Sequence, residues 1–75
     1  MTFEVEVYVV VGNDCHTIVV DVEGKDEKDA RDKIAVALNS PDEFIGIGTG
    51  VFQKANVRGA CLIREKRTKY GRRSP

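Results

Sequence analysis

Seventy-five residues, with Lys and Arg balanced against Asp and Glu at twelve each, give a chain of no net charge and room for one thin core. A chain of this size buries only ~60% of the surface it exposes when unfolded, which excludes two separate domains. No apolar run approaches the ~20 residues that cross a bilayer. The charge balance hides an asymmetry: residues 1–50 carry eleven acidic against four basic residues, a net of −7, and residues 51–75 carry one acidic against eight basic, a net of +7. Met1 is followed by neither a basic segment nor an apolar run, so the expectation is a cytoplasmic protein whose two cysteines, Cys15 and Cys61, stay reduced.

The first element is a β-hairpin. Phe3 to Val11 and His16 to Val22 are alternating apolar segments separated by Gly12-Asn13-Asp14. Phe3, Val5, Val7, Val9 and Val11 share one face; His16, Ile18, Val20 and Val22 share one face of the second segment. Paired residues point to the same side of a sheet, so odd must pair with even. A two-residue loop at Gly12-Asn13 pairs Val7 with Ile18, a four-residue loop from Gly12 to Cys15 pairs Val9 with Ile18, and a three-residue loop is excluded. The opposite face carries Glu4, Glu6, Tyr8, Val10, Thr17, Val19 and Asp21, polar far from the turn and apolar towards it. Tyr8, Val10 and Val19 are therefore the predicted protein interface, for self-association or for another partner.

Residues 26–38 predict a helix. Asp26 is placed to cap it, with Asp29 three residues on, and acidic residues crowd the positive end of the dipole. Ala30, Ile34, Ala37 and Leu38 form one apolar stripe, while Glu27–Arg31, Lys28–Asp32 and Asp29–Lys33 are i,i+4 ion pairs on the solvated side. Pro41 disfavours helical geometry at Ser40 and ends the helix. A hairpin followed at once by a one-faced helix suggests that the helix lies across the Phe3 to Val11 face.

Strand character returns at Phe44-Ile45-Gly46-Ile47, at Val51-Phe52-Gln53 after the Gly48-Thr49-Gly50 bend, and from Val57 to Glu65, where Gly59 implies a bulge or a close backbone approach. The expected fold class is α+β: a single small two-layer domain, ββαββ or ββαβββ, with a mostly antiparallel sheet and one helix packed on one face. It spans residues 1–65, and residues 66–75 form a basic flexible C-terminal tail.

Each candidate chemistry has a plainer alternative. The glycines from Gly46 to Gly50 follow a helix and precede strand-like residues, the reverse of a phosphate-cradling loop, and no Lys-Ser or Lys-Thr follows. His16, Cys15, Cys61 and Asp14 lack the spacing of zinc ligands, and adjacent Cys15 and His16 point to opposite sheet faces; a partly buried histidine at the sheet's end is expected. Glu4, Glu6 and Asp21 read as charge on an exposed strand. No catalytic residue, metal or cofactor is assigned. The leading expectation is a non-enzymatic binding module, a homo-oligomer or a small adaptor or inhibitor of a larger protein, using the outer sheet face and strand edges. One alternative is nucleic-acid binding through the tail, with Arg64, Lys66, Arg67, Lys69, Arg72 and Arg73 on phosphates and Tyr70 stacking on bases. Another is an oligomer that binds a small ligand at the Gly46 to Gly50 bend.

Overall fold

A computed structural model describes residues 1–66, in the order β1 (Thr2–Val11), β2 (Asp14–Glu23), α1 (Glu27–Leu38), β3 (Phe44–Ile47), β4 (Gly50–Gln53), a single 3-10 turn (Lys54–Asn56) and β5 (Val57–Lys66). The domain is α+β, with every strand pair antiparallel and the larger sheet ordered β2-β1-β5. β3 and β4 form a separate two-stranded sheet.

The first hairpin takes the two-residue loop: Val11 pairs with Asp14, Val7 with Ile18 and Val5 with Val20, and no register shift interrupts the ladder down to Thr2 and Glu23. Gly12 has φ +63 and among the described residues no non-glycine residue has positive φ, so the turn is of the type that needs glycine at its first central position. The second hairpin is built the same way, with Ile47 opposite Gly50 and Gly48 at φ +58. Thus the Gly46 to Gly50 stretch is two strand ends around a two-residue turn.

α1 begins as the acidic cluster dictates. The Asp26 carboxylate accepts the Asp29 N–H at 2.8 Å, and the Asp29 carboxylate reaches back to accept the Lys25 N–H at 2.9 Å, one residue beyond the reach of an ordinary capping box. The three i,i+4 ion pairs form on the outer surface, with Lys28–Asp32 at 3.1 Å and Lys33–Asp29 at 3.6 Å. Ala30 and Ile34 are buried, and Ala37 and Leu38 pack beside them. Asn39 caps the last turn through its N–H to the Ala35 carbonyl.

α1 and the β3–β4 hairpin together form the second layer over the inner face of the sheet. The core joins Phe3, Val5, Val7, Val9, Val20 and Val22 from the sheet to Ala30 and Ile34 from the helix and Ile45, Ile47 and Phe52 from the small hairpin. Val5 and Val7, at the centre of the middle strand, are fully buried. Each is worth ~1.5–3 kcal/mol relative to an exposed position. Among the described residues no helix is long and apolar enough to cross a membrane.

The second layer does not reach the hairpin turn. Twelve helical residues span ~18 Å and ten strand residues ~33 Å. Val11 therefore lies on the inner face beyond its cover, while His16 and Ile18, level with buried Val9 and Val7, lie to one side of it on the edge strand β2, and all three are exposed. His16 is not the partly buried residue expected from its place in the apolar pattern.

Candidate protein-interaction face and strand edge

β1 places Glu4, Glu6, Tyr8 and Val10 on the outer face, and the register sets Asp21 beside Glu4, Val19 beside Glu6, Thr17 beside Tyr8 and Cys15 beside Val10. The alternation of each strand puts Tyr8, Val10 and Val19 on this face, with Val19 two residues along the ladder from Tyr8 and four from Val10. Val19 is 55% exposed, Tyr8 38%, and Val10 is half-buried. Tyr8 lies opposite Gly59 of β5, where the ladder shifts register, and its ring passes over that glycine. Its hydroxyl donates to the Glu6 carboxylate at 2.8 Å. That bond holds the phenol's ionisation above the usual tyrosine value, with burial and the Glu6 charge adding to the effect.

The far end of the face is polar and internally paired. Arg64 of β5 meets Glu4 at 2.8 Å, and Lys66, the last residue of β5, meets Asp21 at 3.1 Å. Both side-chain pairs cross the strands of the sheet. Two of the basic residues assigned to nucleic acid thus neutralise acidic residues of the body. Arg67, Lys69, Tyr70, Arg72 and Arg73 lie outside the described residues.

Cys15 and Cys61 are both exposed, unbridged and on the outer face. Their partners on β1, Val10 and Glu6, are four residues apart, ~13 Å along the strand, which is beyond disulfide reach. Cys15 and His16 lie on opposite faces, as the alternation requires. Among the described residues no three His, Cys, Asp or Glu side chains gather closely enough to hold a metal ion.

The two edges of the sheet differ. β5 is interrupted twice, with Leu62-Ile63 set against Val5 and Arg58 inserted between Gly59 and Val57. Such bulges, with charged neighbours, block pairing with a further strand. On β2, Asp21 turns its backbone outward: its N–H donates to the Thr49 hydroxyl at 3.2 Å and its carbonyl accepts the Thr49 N–H at 3.0 Å. The Glu23 carbonyl accepts from the Lys33 ammonium at 2.9 Å. Since the ladder has no shift, Cys15, Thr17 and Val19 face outward in the same phase as Asp21. Among the described residues nothing bonds their backbone groups. The edge is sealed from Asp21 onward and open before it.

The Gly48-Thr49 turn is the seal, so its Thr49 amide is directed at Asp21 and is not offered to an anion. A shallow cleft of about 380 Å³ runs beside it, lined by Val22, Lys33, Ile34, Gly46 and Gly48 among others. The Lys33 ammonium in its wall is held by the Glu23 carbonyl and Asp29.

Sequence reasoning missed Val11, Ile18, Phe44 and Val51 as exposed apolar side chains, at 53%, 40%, 59% and 76% exposure. The signal for Phe44 was available, because alternation sets it opposite Ile45 and Ile47. For Val11 the signal was the mismatch in length between strands and helix; for Ile18, opposite buried Val7, there was none, because its exposure follows from β2 being the edge strand. Comparison of the chain with protein-family models, with curated proteins and with solved structures found no match.

Proposed function

We propose that the chain is a non-enzymatic binding module whose partner is a protein, engaged through the outer sheet face around Tyr8, Val10 and Val19 and the open edge of β2 beside it. The observation that carries this reading is the coincidence of the two features: the exposed apolar side chains border the one stretch of β2 whose outward backbone groups are unbonded. Edge pairing supplies affinity through main-chain hydrogen bonds, and adjacent side chains supply selectivity. Single exposed apolar residues are ordinary on protein surfaces, but here they adjoin unpaired strand groups that a partner strand would satisfy.

The test is co-purification of partners with the wild-type chain and with Tyr8→Lys/Val19→Lys. Both side chains are at least one-third exposed, so the fold is expected to survive, as circular dichroism would report. Proteins that co-purify with the wild type are expected to be lost from the double variant. A folded double variant that keeps all of them overturns the reading.

A further inference from the structure

We infer that the partner of the open β2 edge is a second copy of this chain, paired antiparallel about a two-fold axis at Thr17 to give one continuous six-stranded sheet. The inference rests on the protein-binding reading above and names its partner.

The register follows from which groups are free. Outward-facing residues pair with outward-facing residues, so the candidates are Cys15, Thr17 and Val19 against the same three of the other copy. With Thr17 opposite Thr17, Cys15 falls opposite Val19 and Val19 opposite Cys15, and every open N–H and carbonyl finds a partner. Sliding the copies by two residues one way sets Cys15 against Asp21, whose groups already bond Thr49. Sliding the other way sets Val19 against Asn13, which lies in the turn and is not extended. Only the register centred on Thr17 uses the open stretch completely. In that register pairing stops at both ends, at the Thr49 seal of one copy and the hairpin turn of the other.

The side chains agree with this. No Asp, Glu, Lys or Arg lies between Cys15 and Val19, in a chain of which 32% is charged, so no like charges are brought face to face. The chain's zero formal net charge leaves no overall repulsion between copies. Val19 meets Cys15 on the outer face, with Tyr8 and Val10 flanking, and Ile18 meets His16 on the inner face, where both are exposed in the single chain. The two-fold closes the assembly, because the outer edges are then the two bulged β5 strands. Five residues per copy make a contact below the standard interface size of about 1,600 Å², in the class of weak, transient associations.

Sedimentation velocity across a concentration series, combined with cross-linking, tests this. The wild type is expected to double its mass as concentration rises. Thr17→Pro removes an N–H that faces away from β1, so it keeps the monomer's ladder and is expected to abolish the dimer; Val19→Lys, at a position exposed in the monomer, is expected to do the same and serves if the proline variant does not fold. With Cys15 and Cys61 replaced by Ser, Thr17→Cys is expected to form an intermolecular disulfide under mild oxidation. Its yield should be at least about tenfold that of Cys15 alone, since opposed Cα atoms at a hydrogen-bonded pair are ~5.5 Å apart, within disulfide reach, while two Cys15 residues would be ~13 Å apart along the strands. A chain that stays monomeric at millimolar concentration, a dimer unaffected by both edge variants, or equal cross-linking at positions 15 and 17 overturns the inference. A monomer whose co-purifying proteins still depend on Tyr8 and Val19 overturns self-pairing alone and leaves the binding reading standing.

Discussion

At Gly48 a single hydrogen atom decides whether two parts of the molecule meet. A Cβ there would lie 1.9 Å from the Asp21 carbonyl oxygen and 2.8 Å from a Val22 methyl, and the backbone sits at φ +58. Gly12 has nearly the same φ, but nothing lies within 4 Å of its missing Cβ. The two glycines therefore separate backbone strain from close approach. Gly12→Ala is expected to cost ~1 kcal/mol, the left-handed penalty alone. Gly48→Ala is expected to cost at least ~2 kcal/mol more, because the turn must also back away from β2 and release the Thr49 bonds. Urea denaturation of both variants gives the difference, and equal losses would mean that the Gly48 turn is not held against Asp21. That Gly12 and Gly48 sit in turns was legible in the sequence, since each interrupts an alternating apolar pattern. That Gly48 touches Asp21 was not, because a contact across twenty-seven positions depends on how the second hairpin docks.

At the scale of one element, α1 was the most legible part of the chain. Its cap, its buried stripe, its ion pairs and its stop all depend on neighbours within four residues, and local spacing reports those directly. The Asp29 carboxylate accepts the Lys25 N–H, which holds it below the usual carboxylate range against the opposing effect of burial, and the nearby Lys33 charge adds to the lowering. A carboxyl whose pKa is lower in the folded chain binds fewer protons there than in the unfolded chain. Its contribution is complete above the unfolded value of about 4 and is lost as pH falls through the folded value. The gap in urea midpoint between wild type and Asp29→Asn is expected to be widest at neutral pH and to narrow in acid. A gap that does not change with pH would show that the bond acts without the charge. The hairpin was legible up to its register, where two loop lengths stayed open. The fate of His16 was not legible, because it sits opposite buried Val9 on the edge strand, and which strands the second layer covers depends on other elements.

For the whole molecule, the sequence's polarity of −7 and +7 is partly cancelled in space. Arg64 and Lys66 return to Glu4 and Asp21, sixty and forty-five residues away in the chain, because β5 lies beside β1. No periodicity predicts that neighbour, since strand order depends on which edge of the first hairpin the last strand reaches. The central place of β1 also sets Thr2 opposite Lys66. The two ends of the described fold are thus adjacent strand residues, and a circular permutation would join them through a short Gly-Ser linker in place of residues 67–75. New ends fit between Pro41 and Asp42, an exposed link between α1 and β3. The permuted chain is expected to fold to the same circular dichroism spectrum with little loss of stability, and to fold faster. β1 and β5, which are paired along their length, would then be close in sequence, and although α1 and β3 would become distant, the mean sequence separation of contacts would fall.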